Sequence, residues 1–352
     1  MMPPLMQPLD SSPPPGRHPF LGIAGGVLIA LTLASAPAIS AEAGLITNRP
    51  PPRDVPTRVS VGLYIIDVAK IDDAAQTFEA DVFYTAKWRD ERLRLPPDSG
   101  DRLLSLWDVW QPAVMAVNRR DMKGRTPDLV RVSADGDVTF ELRGFVTLAS
   151  PLDLRDFPFD VQQLEIDLAS VRYGPDEVEL TLDRDTTGRM ERFSVAGWDV
   201  DLGEVQISHI DRERGGQLVR FTQRLVARRQ STFYAMKVVV PLCLIVFMAW
   251  TVFWVDPGDI GPQFGIATAS VLTMIAFQFS LVRMLPHVSY LTRLDRFLLG
   301  ATLLVFLALG EATASSRMAR GGRPDAARRL DAWSRWVYAT LFVVLILFAL
   351  AA

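Results

Sequence analysis

A chain of 352 residues with 49% hydrophobic residues, positive mean hydropathy and a formal net charge of −3 is too long for one ordinary domain and too apolar for two soluble ones. No long basic run precedes its apolar C-terminal third, which argues against nucleic acid as a partner. The single cysteine, Cys243, lies in an apolar stretch, so an intrachain disulfide and a thiolate metal cluster are both excluded.

Arg17 and His18 precede an apolar run over 20–33 and then small residues up to Ser40 and Ala41. This order predicts a cleavable signal peptide over 1–41, with the mature start near Glu42. The apolar run is shorter than the roughly 20 residues a bilayer demands, and an uncleaved anchor is the alternative. The Pro-rich stretch inside 42–57 reads as an extended lead-in. From 58 to 232 short alternating runs follow one another, at 59–65, 77–84, 129–132, 138–148, 161–168, 178–182, 198–210 and 218–226, with Asp135-Gly136 and Gly215-Gly216 as hairpin turns. Many regularly spaced strands without helical interludes predict an immunoglobulin-like β-sandwich. Within it, Phe157-Pro158-Phe159-Asp160 forms a turn that, with a cis proline, would present Phe157 and Phe159 at one tip.

The membrane part, 233–352, divides into four predicted helices at about 233–255, 260–285, 292–316 and 332–352. Arg317, Arg320, Arg323, Arg328, Arg329 and Arg335 crowd the link between the third and fourth. With the sandwich exported, the first helix runs inward, and the positive-inside rule agrees by placing that link on the inner side of the membrane. Trp250, Trp254, Trp333 and Trp336 fall at the inner interface. On the second helix, Pro262 suits a start and Pro286 a stop, and Gly265, Ala269, Leu272, Ala276, Phe279 and Arg283 share one face at helical spacing. A ring of Leu272 or Phe279 would gate by dewetting; ordinary helix packing through small residues is the competing explanation.

These features in this order resemble the pentameric ligand-gated ion channels of the Cys-loop receptor superfamily, bacterial type. Ser150 and Leu164 stand where animal receptors have paired cysteines, while Pro151, Asp153, Phe157, Pro158, Asp160 and Gln162 match the loop between them. Trp88-Arg89-Asp90 is similar to the family's Trp-x-Asp strand motif and Trp110-Gln111-Pro112 to its Trp-x-Pro motif, with Ala113 replacing the usual acid. Pro241, Trp254 and Val271-Leu272-Thr273-Met274 complete the match. The resemblance covers nearly everything after Arg58.

The resemblance implies a homopentamer in a lipid bilayer, a pore for inorganic ions lined by the second helix with Leu272 at the gate, and no enzymatic activity or cofactor. No residue pattern in the chain suggests catalysis or a metal. Asp160, Arg229 and Asp73 match a charge triad that couples sandwich to membrane domain, assisted by Phe159 and by the linker from His287 to Leu291 before the third helix. Solvated surface charges are the alternative. The agonist site falls at subunit interfaces, at Phe83, Met115, Glu141, Arg143, Tyr173 and the hairpin with Arg212, Glu213 and Arg214. Met115 in place of an aromatic disfavours a quaternary ammonium cage. Arg143 suits a small acid or amino acid, unless it and Glu141 pair with each other. Gln76 and Met274 replace titratable groups of proton-gated relatives, leaving His209 and His287 as pH-sensitive candidates. Gly261-Pro262-Gln263 at the inner mouth and Arg283 at the outer point towards anions, with Asp256 and Asp259 pulling the other way. A non-conducting periplasmic receptor tethered by its helices is the competing function.

Overall fold

The computed structural model describes residues 46–124, 126–212, 215–281 and 288–350. The signal-peptide segment, Glu213, Arg214, Arg283 and His287 lie outside them.

Twelve strands form two packed sheets: β1 (Thr57–Asp72), β2 (Thr77–Arg89), β3 (Arg102–Ser105), β4 (Val114–Ala116), β5 (Arg119–Gly124), β6 (Leu129–Val132), β7 (Asp137–Ala149), β8 (Val161–Ser170), β9 (Val178–Leu182), β10 (Gly188–Arg189), β11 (Trp198–Asp211) and β12 (Gln217–Arg229). The larger sheet runs β10-β1-β2-β7-β6-β3, with β9 also on β1 and β5 also on β7; the smaller runs β11-β12-β8-β4. Alternation places the core. Val59, Val61, Leu63 and Ile65 of β1 and Leu164, Ile166 and Leu168 of β8 point inward at every second position and are buried. The chain crosses from the larger to the smaller sheet through the loop between β7 and β8, which contains the cis Phe157-Pro158 peptide. Phe157 is fully buried and, of the two rings, Phe159 alone is exposed, so the expected pair of rings at the tip is corrected. The Phe157 ring turns inward instead and packs edge-on to Tyr234 at 4.7 Å.

Among the described residues, four helices long and apolar enough to cross a membrane follow: α1 (Thr232–Trp254), α2 (Ile260–Leu281), α3 (Arg293–Arg320) and α4 (Pro324–Leu350). α1 is π-helical over Ala235–Val239, directly before Pro241. Proline has no N–H to donate to the preceding turn, and there the Val240 N–H reaches back five residues to Ala235 O. α3 starts on a capping box, in which Thr292 Oγ1 accepts from Asp295 N at 3.1 Å and Asp295 Oδ2 accepts from Thr292 N at 3.0 Å. α4 begins at Pro324, well before the expected 332, because its first turns are charged rather than apolar. One apolar cluster runs from the sandwich core to the outer helix ends through Val238, Leu281 and Leu294. Leu303, Leu307, Val344, Leu347 and Phe348 face outward, as lipid contact requires.

Candidate functional site: the junction, the second helix and the sandwich faces

At the junction, the last residue of β12 carries the chemistry. Arg229 donates from Nε and Nη2 to Asp160 Oδ1 and Oδ2 at 2.7 and 3.1 Å, and from Nη1 and Nη2 to Asp73 Oδ2 and Oδ1 at 2.9 Å each. Both carboxylates are thus held in paired geometry by one planar fork. The Arg229 side chain is 4% exposed and that of Asp160 1%. The Trp198 ring lies 4.0 Å and the Phe157 ring 4.8 Å from the guanidinium carbon. Burial pulls the Arg229 pKa down, but hydrogen bonds to Asp160 and Asp73 and their charge outweigh it, and the net shift is upward. A surface triad of solvated charges is therefore excluded.

Gln162 extends the node, donating from Nε2 to Asp160 Oδ2 at 2.6 Å and to Asp153 O at 2.7 Å. Gln76 Oε1 accepts from Leu152 N at 2.6 Å, pinning the β1–β2 turn to the same loop. The loop in turn grips the membrane domain. Tyr290 Oη accepts from Leu154 N at 2.9 Å, Arg293 Nε donates to Asp156 Oδ1 at 2.9 Å, and Leu294 N donates to Phe157 O at 3.2 Å. Sequence reasoning named the linker over 287–291, which contains Tyr290, but not Arg293 and Asp156, whose pairing spans more than a hundred residues. Tyr290→Phe removes one bond worth roughly 0.5–1.5 kcal/mol. It is expected to shift the half-maximal stimulus by about two- to tenfold in current recordings, with assembly intact.

On α2, Gly265, Ala269, Leu272, Ala276 and Phe279 are all exposed in the protomer, Leu272 at 61% and Phe279 at 76%. Ala267, Ser270, Val271 and Met274 are buried on the opposite side. Thr268, Thr273 and Ser280 flank the stripe, and the last two spend their hydroxyls on their own helix backbone. Gln263 turns away from the exposed face and accepts from Ser316 Oγ at 2.6 Å.

The expected agonist residues fall into two groups. Phe83, Glu141 and Arg143 lie on β2 and β7 of the larger sheet, with Phe83 directly opposite Arg143. Arg143 Nη2 binds Asp81 Oδ2 at 3.0 Å, so its partner is Asp81 rather than Glu141; that hydrogen bond and charge raise its pKa. Met115, Tyr173 and Arg212 belong to the smaller sheet and the loops leaving it. Tyr173 Oη accepts from Trp110 Nε1 at 2.8 Å, and Arg212 Nη2 donates to Val171 O at 2.7 Å. The two groups thus lie on different sheets of the protomer. His209 is exposed, and among the described residues no cluster of three or more His, Cys, Asp or Glu could hold a metal ion.

A β-sandwich whose β7–β8 loop is anchored by a buried arginine and hydrogen-bonded to the start of α3, with four apolar helices of which one carries an exposed stripe, defines a multi-pass receptor-channel subunit with a large extracellular domain. The model of the neurotransmitter-gated ion-channel ligand binding domain matches residues 46–231, and that of the neurotransmitter-gated ion-channel transmembrane region matches residues 238–320. The chain belongs to this family, whose members form pentameric channels that gate ions in a membrane; it is a ligand-gated ion channel and not an enzyme. It is similar to the proton-gated ion channel of Gloeobacter violaceus, 26% identical over 304 residues that cover 85% of this chain and 84% of that protein. It is also similar to the glycine receptor subunit beta of Rattus norvegicus and of Homo sapiens, each 27% identical over 275 residues, 75% of this chain. Of those two subunits it spans about half the length, 55%.

Proposed function

We propose that five copies of this chain assemble in a bacterial inner membrane with the sandwiches in the periplasm. Binding of a small molecule between neighbouring sandwiches then opens a central pore lined by α2. The observation that carries this reading is the stripe of Gly265, Ala269, Leu272, Ala276 and Phe279, which is exposed in its own subunit while Ala267, Ser270, Val271 and Met274 on the opposite face are buried. Five such stripes around an axis make a narrow apolar tube whose tightest rings are leucine and phenylalanine. The coupling path runs from β12 through Arg229, Asp160 and Asp73 into the Pro158 loop and on to α3.

The division of the expected agonist residues between the two sheets supports a site completed by an adjacent subunit, with Arg143 from one side and Tyr173 and Met115 from the other. Arg143 suits the carboxylate of a small acid or amino acid. Glycine, named in two relatives, belongs to that class; a proton, named in the third, finds Gln76 hydrogen-bonded and Met274 buried where a titratable group would be required. Anions are the favoured permeant ions, because Gly261, Pro262 and Gln263 put no carboxylate at the start of α2, with Asp256 and Asp259 in the preceding loop pulling the other way.

Recording from the purified protein in planar bilayers under asymmetric salt, across pH steps and a panel of amino acids, amines and carboxylates, tests the whole reading. Discrete currents that reverse near the anion potential, evoked by a small acid and lost in Arg143→Gln, are expected. Persistent silence from verified pentamers overturns it.

A further inference from the structure

Between the two sheets of the protomer, towards the Trp88 end of β2, lies a cavity of about 240 Å³ that neither the Arg229 node nor the α2 stripe borders. One wall is β2, where Tyr84, Ala86 and Trp88 turn inward at alternate positions, together with Phe140, the cross-strand partner of Ala86. Ala86 has only a methyl to put between two large rings, and the space there is left open. The facing wall is the segment from Pro112 to Met115, in which Ala113 holds a left-handed backbone at φ +51°. Tyr84, Phe140, Val114 and Met115 also line an adjoining apolar cavity of about 90 Å³. Of the residues expected to bind agonist, Met115 alone borders either space among the described residues.

Two polar groups of this aromatic lining are unused. Trp88 is 4% exposed, and its Nε1 is buried without a hydrogen-bond partner among the described residues. Trp110, edge-on to it at 6.0 Å, gives its own Nε1 to Tyr173 Oη. Tyr84 is 7% exposed; burial raises its pKa, and no hydrogen bond or charge adds to that effect. A buried indole N–H ordinarily finds an acceptor, because leaving it unmade costs free energy. Trp88 Nε1 can only donate, whereas Tyr84 Oη both donates and accepts, so one hydroxyl oxygen placed between them would satisfy both. Arg172 is the one charged residue of the lining and is exposed, so nothing inside offsets the cost of burying an ion. The occupant that fits is therefore uncharged. An apolar cavity of roughly 150 Å³ holds a benzene ring, and this one has room for a ring with substituents. Trp107, 64% exposed, and Met115, 43% exposed, mark its opening.

We propose that this cavity binds a small uncharged aromatic molecule with one hydroxyl, a phenol, whose ring lies against Tyr84, Trp88 and Phe140 and whose oxygen accepts from Trp88 Nε1 and donates to Tyr84 Oη. Once seated, the phenol braces the Pro112–Met115 segment against β2. Since Met115 is also one of the expected agonist residues, occupation would bias opening from behind that site. The effect on opening rests on the channel reading given above; the binding itself does not.

Fluorine NMR of the full-length protein in lipid nanodiscs, titrated with 4-fluorophenol and with its hydroxyl-free counterpart 4-fluorotoluene, decides it. Wild type is expected to bind 4-fluorophenol saturably and 4-fluorotoluene at least about fivefold more weakly. Tyr84→Phe keeps the ring and removes the hydroxyl, so its affinity for 4-fluorophenol is expected to fall severalfold and that for 4-fluorotoluene to stay as it was. Val114→Phe, which fills the space from the facing wall, is expected to abolish saturable binding of both compounds and the rise in thermal midpoint that 4-fluorophenol gives wild type. No saturable binding to wild type overturns the proposal, and so does an equal signal from wild type and Val114→Phe, the result that partition into lipid alone would give. A Tyr84→Phe protein that treats the two compounds as wild type does overturns it too, and this variant decides the matter if Val114→Phe does not assemble. Every readout is of binding, so a protein that passes no current leaves the test intact.

Discussion

Replacing Arg229 with alanine is expected to abolish gating and to destabilise the sandwich by about 3–5 kcal/mol, because it strands a buried carboxylate without its counter-charge. Asp160 is almost completely enclosed, and its remaining donor, Gln162 Nε2, is a neutral amide. Asp73 loses both of its bonds to the fork but is partly exposed and recovers some hydration. Arg229→Lys separates charge from geometry. An ammonium restores the charge but cannot serve two carboxylates in paired fashion while lying flat between Trp198 and Phe157. Its stability should fall between wild type and alanine, while coupling stays defective. Chemical unfolding of the purified variants, read beside their currents, gives both quantities; a normally gating, normally stable Arg229→Ala would remove this node from the mechanism.

Leu272→Ala is expected to do the opposite, leaving the subunit's stability untouched and shifting the closed-to-open ratio by at least about tenfold, or ~1.4 kcal/mol. Leu272 makes no packing contact that its own fold requires, since it is exposed in the protomer. A large-to-small change there opens no cavity in a packed core. In the proposed homopentamer five side chains would change at once, each losing apolar volume that keeps the proposed constriction dry. Single-channel open probability together with the unfolding midpoint tests the pair of claims. Unchanged gating in a correctly assembled variant would move the constriction from Leu272 to the wider-reaching ring of Phe279.

How much of this was legible in the chain depended on the physics of each element. The long strands were readable because one face is buried and the period of two is strict, as in β1 and β8. β5 was not, since its sequence RRDMKG is almost wholly exposed and has no apolar alternation, and the short β3, β4 and β10 offer too few residues for a period. The start of α4 was misplaced because hydropathy reports which residues sit in lipid, while a proline at the first turn and charged residues such as Arg328 and Arg329 extend the helix beyond it. The triad came from a family resemblance, and its burial could not be read from three charges far apart in the chain. The aromatic walls around Arg229 and the grip of Tyr290 and Arg293 on the Pro158 loop are products of tertiary packing. Phe157 itself was read in the wrong direction: a turn residue beside proline suggested a tip, yet its ring closes the floor under the arginine.

That closed floor bears on how the channel responds to its surroundings. Mobile ions screen charges that water can reach, over a distance of about 8–10 Å at ordinary ionic strength, and they act far less on pairs that exclude them. The contact of Arg293 with Asp156, whose carboxylate is largely exposed, should therefore weaken as salt rises. The fork between Trp198 and Phe157 should not. On the proposed coupling path the contact of Arg293 with Asp156 is then a salt-sensitive outer clasp and the Arg229 fork a salt-insensitive hinge, so ionic strength would trim the tightness of the connection without undoing it.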